Sequence, residues 1–137
     1  MTDYKLAFAE LFVRVFAGIL FLFQGYDKLF HIKMPEVINT FMQDAEKRHI
    51  PRPVVAFISY LTSLIELLGG LCLILGLFTN IALYAIGIDL LLIGFAFSFM
   101  QPMWDMKHVF PRLILILILL ILPPQANLFS LDNYINP

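Results

Sequence analysis

Three long apolar runs each carry an ionisable residue well inside their ends: Arg14 in residues 6–29, Glu66 in 54–78 and Asp89 in 81–100. A charge at the bilayer centre costs a few kcal/mol or more, so each must face protein or trapped water rather than lipid. Buried carboxylates and a guanidinium offer two kinds of chemistry. They relay protons, or they hydrogen-bond a polar head group such as that of a quinone. Alternatively the charges only fix helix register, Arg14 pairing with Glu10 at i, i+4 or with Asp89. Counted at 1.5 Å per residue from the side holding the N-terminus, Arg14 lies roughly 10 Å deep, Asp89 roughly 12 Å and Glu66 roughly 16 Å. These depths predict one buried Arg14–Glu66–Asp89 cluster.

The neighbours of these residues repeat at helical spacing. Glu10, Arg14, Gly18, Phe21, Gly25 and Lys28 share one face of the first run, with Ala17 and Gln24 alongside. Ser59, Thr62, Ser63, Glu66, Gly69, Gly70 and Leu73 do the same in the second, and Asp89 aligns with Ala82, Ala85 and Ala96 in the third. Such small and polar seams are the faces on which membrane helices meet, and Gly18, Gly25, Gly69 and Gly70 are read as the packing glycines. Gln24, Lys28, His108 and Arg112 form a second polar group nearer the opposite membrane face. Both groups are expected to line a single internal pocket.

Other chemistries find no support. His31, His49 and His108 are the only histidines, no two at ligand spacing, so no metal site is expected. Cys72 is the only cysteine, which excludes an intrachain disulfide and reads as a small apolar residue. There is no phosphate-binding glycine loop, no dinucleotide fingerprint and no serine-hydrolase order in context.

The elements that must position these residues follow from composition. Of 137 residues, 61% are hydrophobic and 14% charged, and the mean hydropathy is +0.87, the balance of an integral membrane protein with one domain. A net charge of -1 supplies no basic stripe for nucleic acid. Spans at 6–29, 54–78 and 81–100 are each long enough to cross a core of ~30 Å. A fourth is placed at 107–124: its uncharged centre alternates Leu and Ile, but a lone strand cannot satisfy its backbone in lipid, and Pro123 and Pro124 end a helix there. Arg14 interrupts the first run and no Ala-x-Ala site follows, so it reads as a retained span rather than a signal peptide.

Spans two and three form a tight hairpin. In the loop at 30–53, Pro35 opens an amphipathic helix at about 35–46 on Val37, Ile38, Phe41, Met42 and Ala45, lying on the membrane surface or over the bundle mouth. Lys33, Lys47, Arg48, Arg52 and Lys107 crowd the first and third connections, which predicts that these are cytoplasmic and both termini outside. Tyr4, Tyr26, Tyr60, Tyr84, Trp104 and Tyr134 lie near span ends as interface anchors. The fold class is an all-α membrane protein, a four-helix bundle with a loop helix between spans 1 and 2.

Arg14 with Gly18, Phe21, Gly25 and Lys28, then Glu66-Leu67-Leu68-Gly69-Gly70 running to Gly76-Leu77-Phe78-Thr79-Asn80, and finally Ser130-Leu131-Asp132, make the chain resemble the DoxX family over nearly its whole length. It departs where members often carry arginine, at Asn80, and glycines, near Pro124 and Gln125. The resemblance implies a multi-pass protein of the bacterial inner (plasma) membrane, serving as accessory or anchoring subunit of a quinone- or thiol/sulfur-linked redox complex. It implies no enzyme acting on its own, no catalytic residue and no cofactor beyond quinone. Two other roles fit such a chain, a non-catalytic assembly factor for membrane-protein clients and a small proton-coupled carrier. The carrier would require a homo-oligomer.

Overall fold

The computed structural model describes residues 2–100 and 107–135; Trp104 and the start of the third connection lie outside them. Every regular element among the described residues is a helix, without a strand. Helix α1 (Thr2–Tyr26) runs into a π turn (Asp27–His31), α2 is Met34–Ala45, α3 Arg52–Leu75, α4 Thr79–Met100, α5 Val109–Ile121 and α6 Leu131–Ile135. Three of these, α1 with its π turn, α3 and α4, are long and apolar enough to cross a membrane.

The bundle is inside-out relative to a water-soluble one. Glu10, Arg14, Ser59, Thr62, Ser63, Glu66 and Asp89 are buried, while Phe12, Phe57, Ile81, Phe95 and Ile121 are more than 60% exposed. Lipid tolerates the apolar surface and would punish the polar one, so the sequence turns its seams inward.

Helix α1 packs most closely on α3, and glycine makes that possible. A Cβ on Gly18 would lie 2.9 Å from the Gly70 carbonyl oxygen, one on Gly25 would lie 2.7 Å from that of Ser63, and one on Gly70 would strike the Leu22 backbone. Two backbones in contact exclude any larger side chain. Gly69 faces α4 instead, where the Ile86 side chain fills its notch. Helix α3 ends at Gly76, in the left-handed region at φ 65°, and α4 begins three residues later, so the hairpin is tight.

Helix α5 starts two residues inside the predicted span and stops before the prolines. Its 13 residues rise about 20 Å, less than a full hydrocarbon core. Ile116 and Leu119 bury its inner face against α4 and α1, so packing rather than length fixes it in the bundle. Helix α2 folds over the bundle mouth: Met34, Val37, Ile38, Met42 and Ala45 form a separate apolar cluster with Val55 of α3. The Arg48 guanidinium sits 5.5 Å from the Phe99 ring centre, and the Phe41 ring 5.8 Å from that of Phe97, tying the loop to the end of α4.

Candidate functional site

The buried charges do not form the single cluster that depth counting predicts. They separate into two centres, and the α1–α3 register is the reason. With Gly18 against Gly70 and Ile74, and Gly25 against Ser63 and Leu67, the antiparallel pairing brings Arg14 to the last turn of α3 and Gln24 level with Glu66. Counting each helix from a common membrane surface missed this offset, because α1 runs on past the end of α3. Its first turns are covered by the C-terminal segment, where the Phe8 ring lies 5.0 Å from that of Phe129.

The first centre is a staple. Arg14 donates Nε to Glu10 Oε1 at 2.8 Å, Nη1 to the Leu73 carbonyl at 2.7 Å and Nη2 to the Phe129 carbonyl at 3.0 Å. One guanidinium thereby joins α1, the open carbonyls ending α3 and the C-terminal segment, the task its fork suits. Beside it Asp132 accepts from the Phe78 and Thr79 backbone N–H groups at 2.7 and 2.6 Å, capping α4 from 53 residues away. Burial pushes the Asp132 carboxyl up, but hydrogen bonds from Thr79 and Phe78, with Arg14 nearby, outweigh it and hold the group below the usual carboxylate range.

The second centre lies toward the other end. Lys28, carried on the π turn, donates Nζ to Glu66 Oε2 at 2.7 Å, and Glu66 is fully buried. A π turn inserts a residue into the helical repeat and re-aims the side chains that follow, a local irregularity common at functional sites. Asp89 of α4 is fully buried within electrostatic range of Glu66 and Lys28, and Arg112 of α5 acts on Glu66 from the opposite wall. Arg112 has no hydrogen-bond partner among the described residues.

This centre adjoins a cavity of about 840 Å³. Gln24, Lys28, Ser59, Thr62, His108 and Arg112 supply its polar groups; Val37 and Phe41 of α2, Ile58 of α3, and Ile93 and Phe97 of α4 supply apolar wall. Its rim includes the exposed Leu61, Leu92, Phe95 and Phe99, so it opens between α3 and α4 toward the acyl chains. Thr40, Gln43 and Asp44 of α2 also line it. The structure therefore brings Gln24, Lys28, Glu66, Asp89, His108 and Arg112 to one end and leaves Arg14 at the other. The part played by α2 in the wall was not read from sequence, although its apolar stripe was the available signal. Among the described residues no three His, Cys, Asp or Glu come together to hold a metal ion.

A lipid-open cavity with a cationic, hydrogen-bonding end is chemically suited to an amphiphile with a polar, acceptor-rich head. Compared with known proteins, the chain matches the family model described as DoxX over residues 9–100. That match takes in α1 from residue 9 and all of α2 to α4, with Arg14, Lys28, Glu66 and Asp89, and stops before Arg112 and Asp132. No curated protein and no solved structure matches.

Proposed function

Since the chain belongs to the DoxX family, we propose that it is an accessory membrane subunit of a redox complex whose cavity receives a quinone-type amphiphile. One observation carries the reading: the 840 Å³ cavity joins a lipid-open rim to Lys28 and to Arg112, which makes no hydrogen bond among the described residues. A quinone head presents two carbonyl oxygens and needs donors; Arg112, Lys28 and the Ser59 hydroxyl are the candidates on the walls. Its prenyl tail would leave along Leu92, Phe95 and Phe99 without crossing water. When bound, a quinone supplies two-electron, two-proton redox chemistry, and the protein's part is to orient the head and exclude water. Electrons must come from a partner, which is why the chain is read as a subunit.

The test is binding of a short-chain quinone to the purified protein in lipid nanodiscs, followed by calorimetry. Thr62→Phe, which fills the cavity without altering charge, and Arg112→Ala should each weaken binding about tenfold or more, the worth of roughly 1.4 kcal/mol. Equal affinity in all three proteins would sink the proposal. Copurification with a membrane-protein client, unaffected by Thr62→Phe, would favour the assembly-factor role instead.

A further inference from the structure

Where α3 and α4 close on each other, Glu66 and Asp89 stand in register, since Ile86 fills the notch at Gly69 one turn along. Gln24 reaches the same level from α1 because Gly25 packs on Ser63 and Leu67. Four buried atoms there, Gln24 Oε1, Glu66 Oε1 and both carboxylate oxygens of Asp89, meet no donor among the described residues. All four are acceptors. Two charged groups act on Asp89, Lys28 from the π turn and Glu66 from α3, and Arg112 of α5 acts on Glu66. Lys28 is committed to Glu66 Oε2 at 2.7 Å, Arg112 acts on Glu66 without a hydrogen bond, and among the described residues no cation makes a salt bridge to Asp89. Turning the Gln24 amide over would bring a donor but no charge. A buried carboxylate with neither a hydrogen-bond donor nor a cation in direct contact is too costly to persist inside a membrane protein.

We propose that the Gln24–Glu66–Asp89 layer binds one small monovalent cation, a proton or Na⁺, that neutralises its second carboxylate. Carboxylate and amide oxygens are hard donors, suited to either occupant and to no soft metal. The cation arrives from the cavity, where Lys28 is part-exposed beside Glu66. This site is independent of the quinone reading; it needs the cavity only as a path.

Thermal unfolding of the protein in nanodiscs tests it. At constant ionic strength, Na⁺ replaces choline in one series, and in the other pH is lowered without Na⁺. Saturation should raise the midpoint by roughly 3–10 °C in one series. A response to Na⁺ identifies the metal ion. A response to acid, with a carboxylic-acid C=O infrared band that is lost in Asp89→Asn, identifies the proton. Asp89→Asn keeps the shape, removes the charge and should respond in neither series; if it fails to fold, Glu66→Gln should lose the response in its place. A wild-type midpoint flat in both series without an Asp89-dependent band, or a response surviving in Asp89→Asn, overturns the proposal.

Discussion

At the residue scale, each buried charge is defined by what would be orphaned if its partner were lost. Lys28→Met leaves Glu66 buried and unpaired, and should destabilise by about 3–5 kcal/mol. Adding Glu66→Leu should recover most of that loss, because an apolar pair of similar volume has no charge to desolvate. Denaturant unfolding of the two single variants and the double variant measures the coupling, and a fully additive cycle would contradict the pair. Arg14 differs, since two of its three bonds go to carbonyls. Arg14→Lys keeps a charge for Glu10 but lacks the planar fork, and is expected to lose roughly 2–3 kcal/mol in the same assay. Little or no loss would mean that the two carbonyls do not depend on the fork. The i, i+4 spacing pointed Arg14 to Glu10, with Asp89 the alternative partner; the carbonyl bonds had no sequence signal, for backbone groups of Leu73 and Phe129 carry no mark in the residue string.

At the element scale, the α1–α3 crossing is the fold's narrowest contact. Gly25→Leu must push the two backbones apart, and loss of folded protein or a cost of several kcal/mol is expected; Gly87→Ala, whose new methyl would meet only the Ile116 side chain at 3.8 Å, should change stability by less than about 0.5 kcal/mol. Yield and unfolding of the two variants decide whether the glycines are packing devices. The short helix α6 acts through one carboxylate. Asp132→Asn weakens the cap on α4 and should cost about 0.5–2 kcal/mol. Its pH dependence has a definite sign. A folded pKa lowered from 3.8 means that the stabilisation is complete above that value and is lost as pH falls through the lower folded value. Unfolding followed from pH 6 toward pH 3 should therefore drop more steeply in the wild type than in Asp132→Asn, and parallel curves would show that the ionised cap contributes nothing. Helix periodicity located these elements in the sequence, but the tie between Asp132 and the start of α4 spans 53 residues, with α4 and α5 between its ends. No local pattern announces such a contact.

At the scale of the molecule, the two ends are unlike. One is closed by Arg14, Asp132 and the C-terminal segment; the other holds the cavity, α2 and most of the lysines and arginines. We infer from that charge asymmetry that the cavity end faces the cytoplasm. With Cys72 replaced by serine, single cysteines at Tyr4 and Tyr134 should react with an impermeant maleimide from outside the cell, and one at Lys47 only after permeabilisation. Labelling of Lys47→Cys in intact cells would reverse the orientation. The sequence by itself determined the solvent and the class of fold: apolar runs of span length, small polar seams at helical period and an amphipathic loop helix leave an all-α membrane bundle as the arrangement that buries charge and satisfies backbone. It also named the residues that had to be inside. Only the tertiary structure decided which of them meet, because helical period fixes the face a side chain lies on and leaves free the axial register between helices. Contacts at Gly18, Gly25 and Gly70 set that register, and they are what separates Arg14 from Glu66 and joins Glu66 to Lys28.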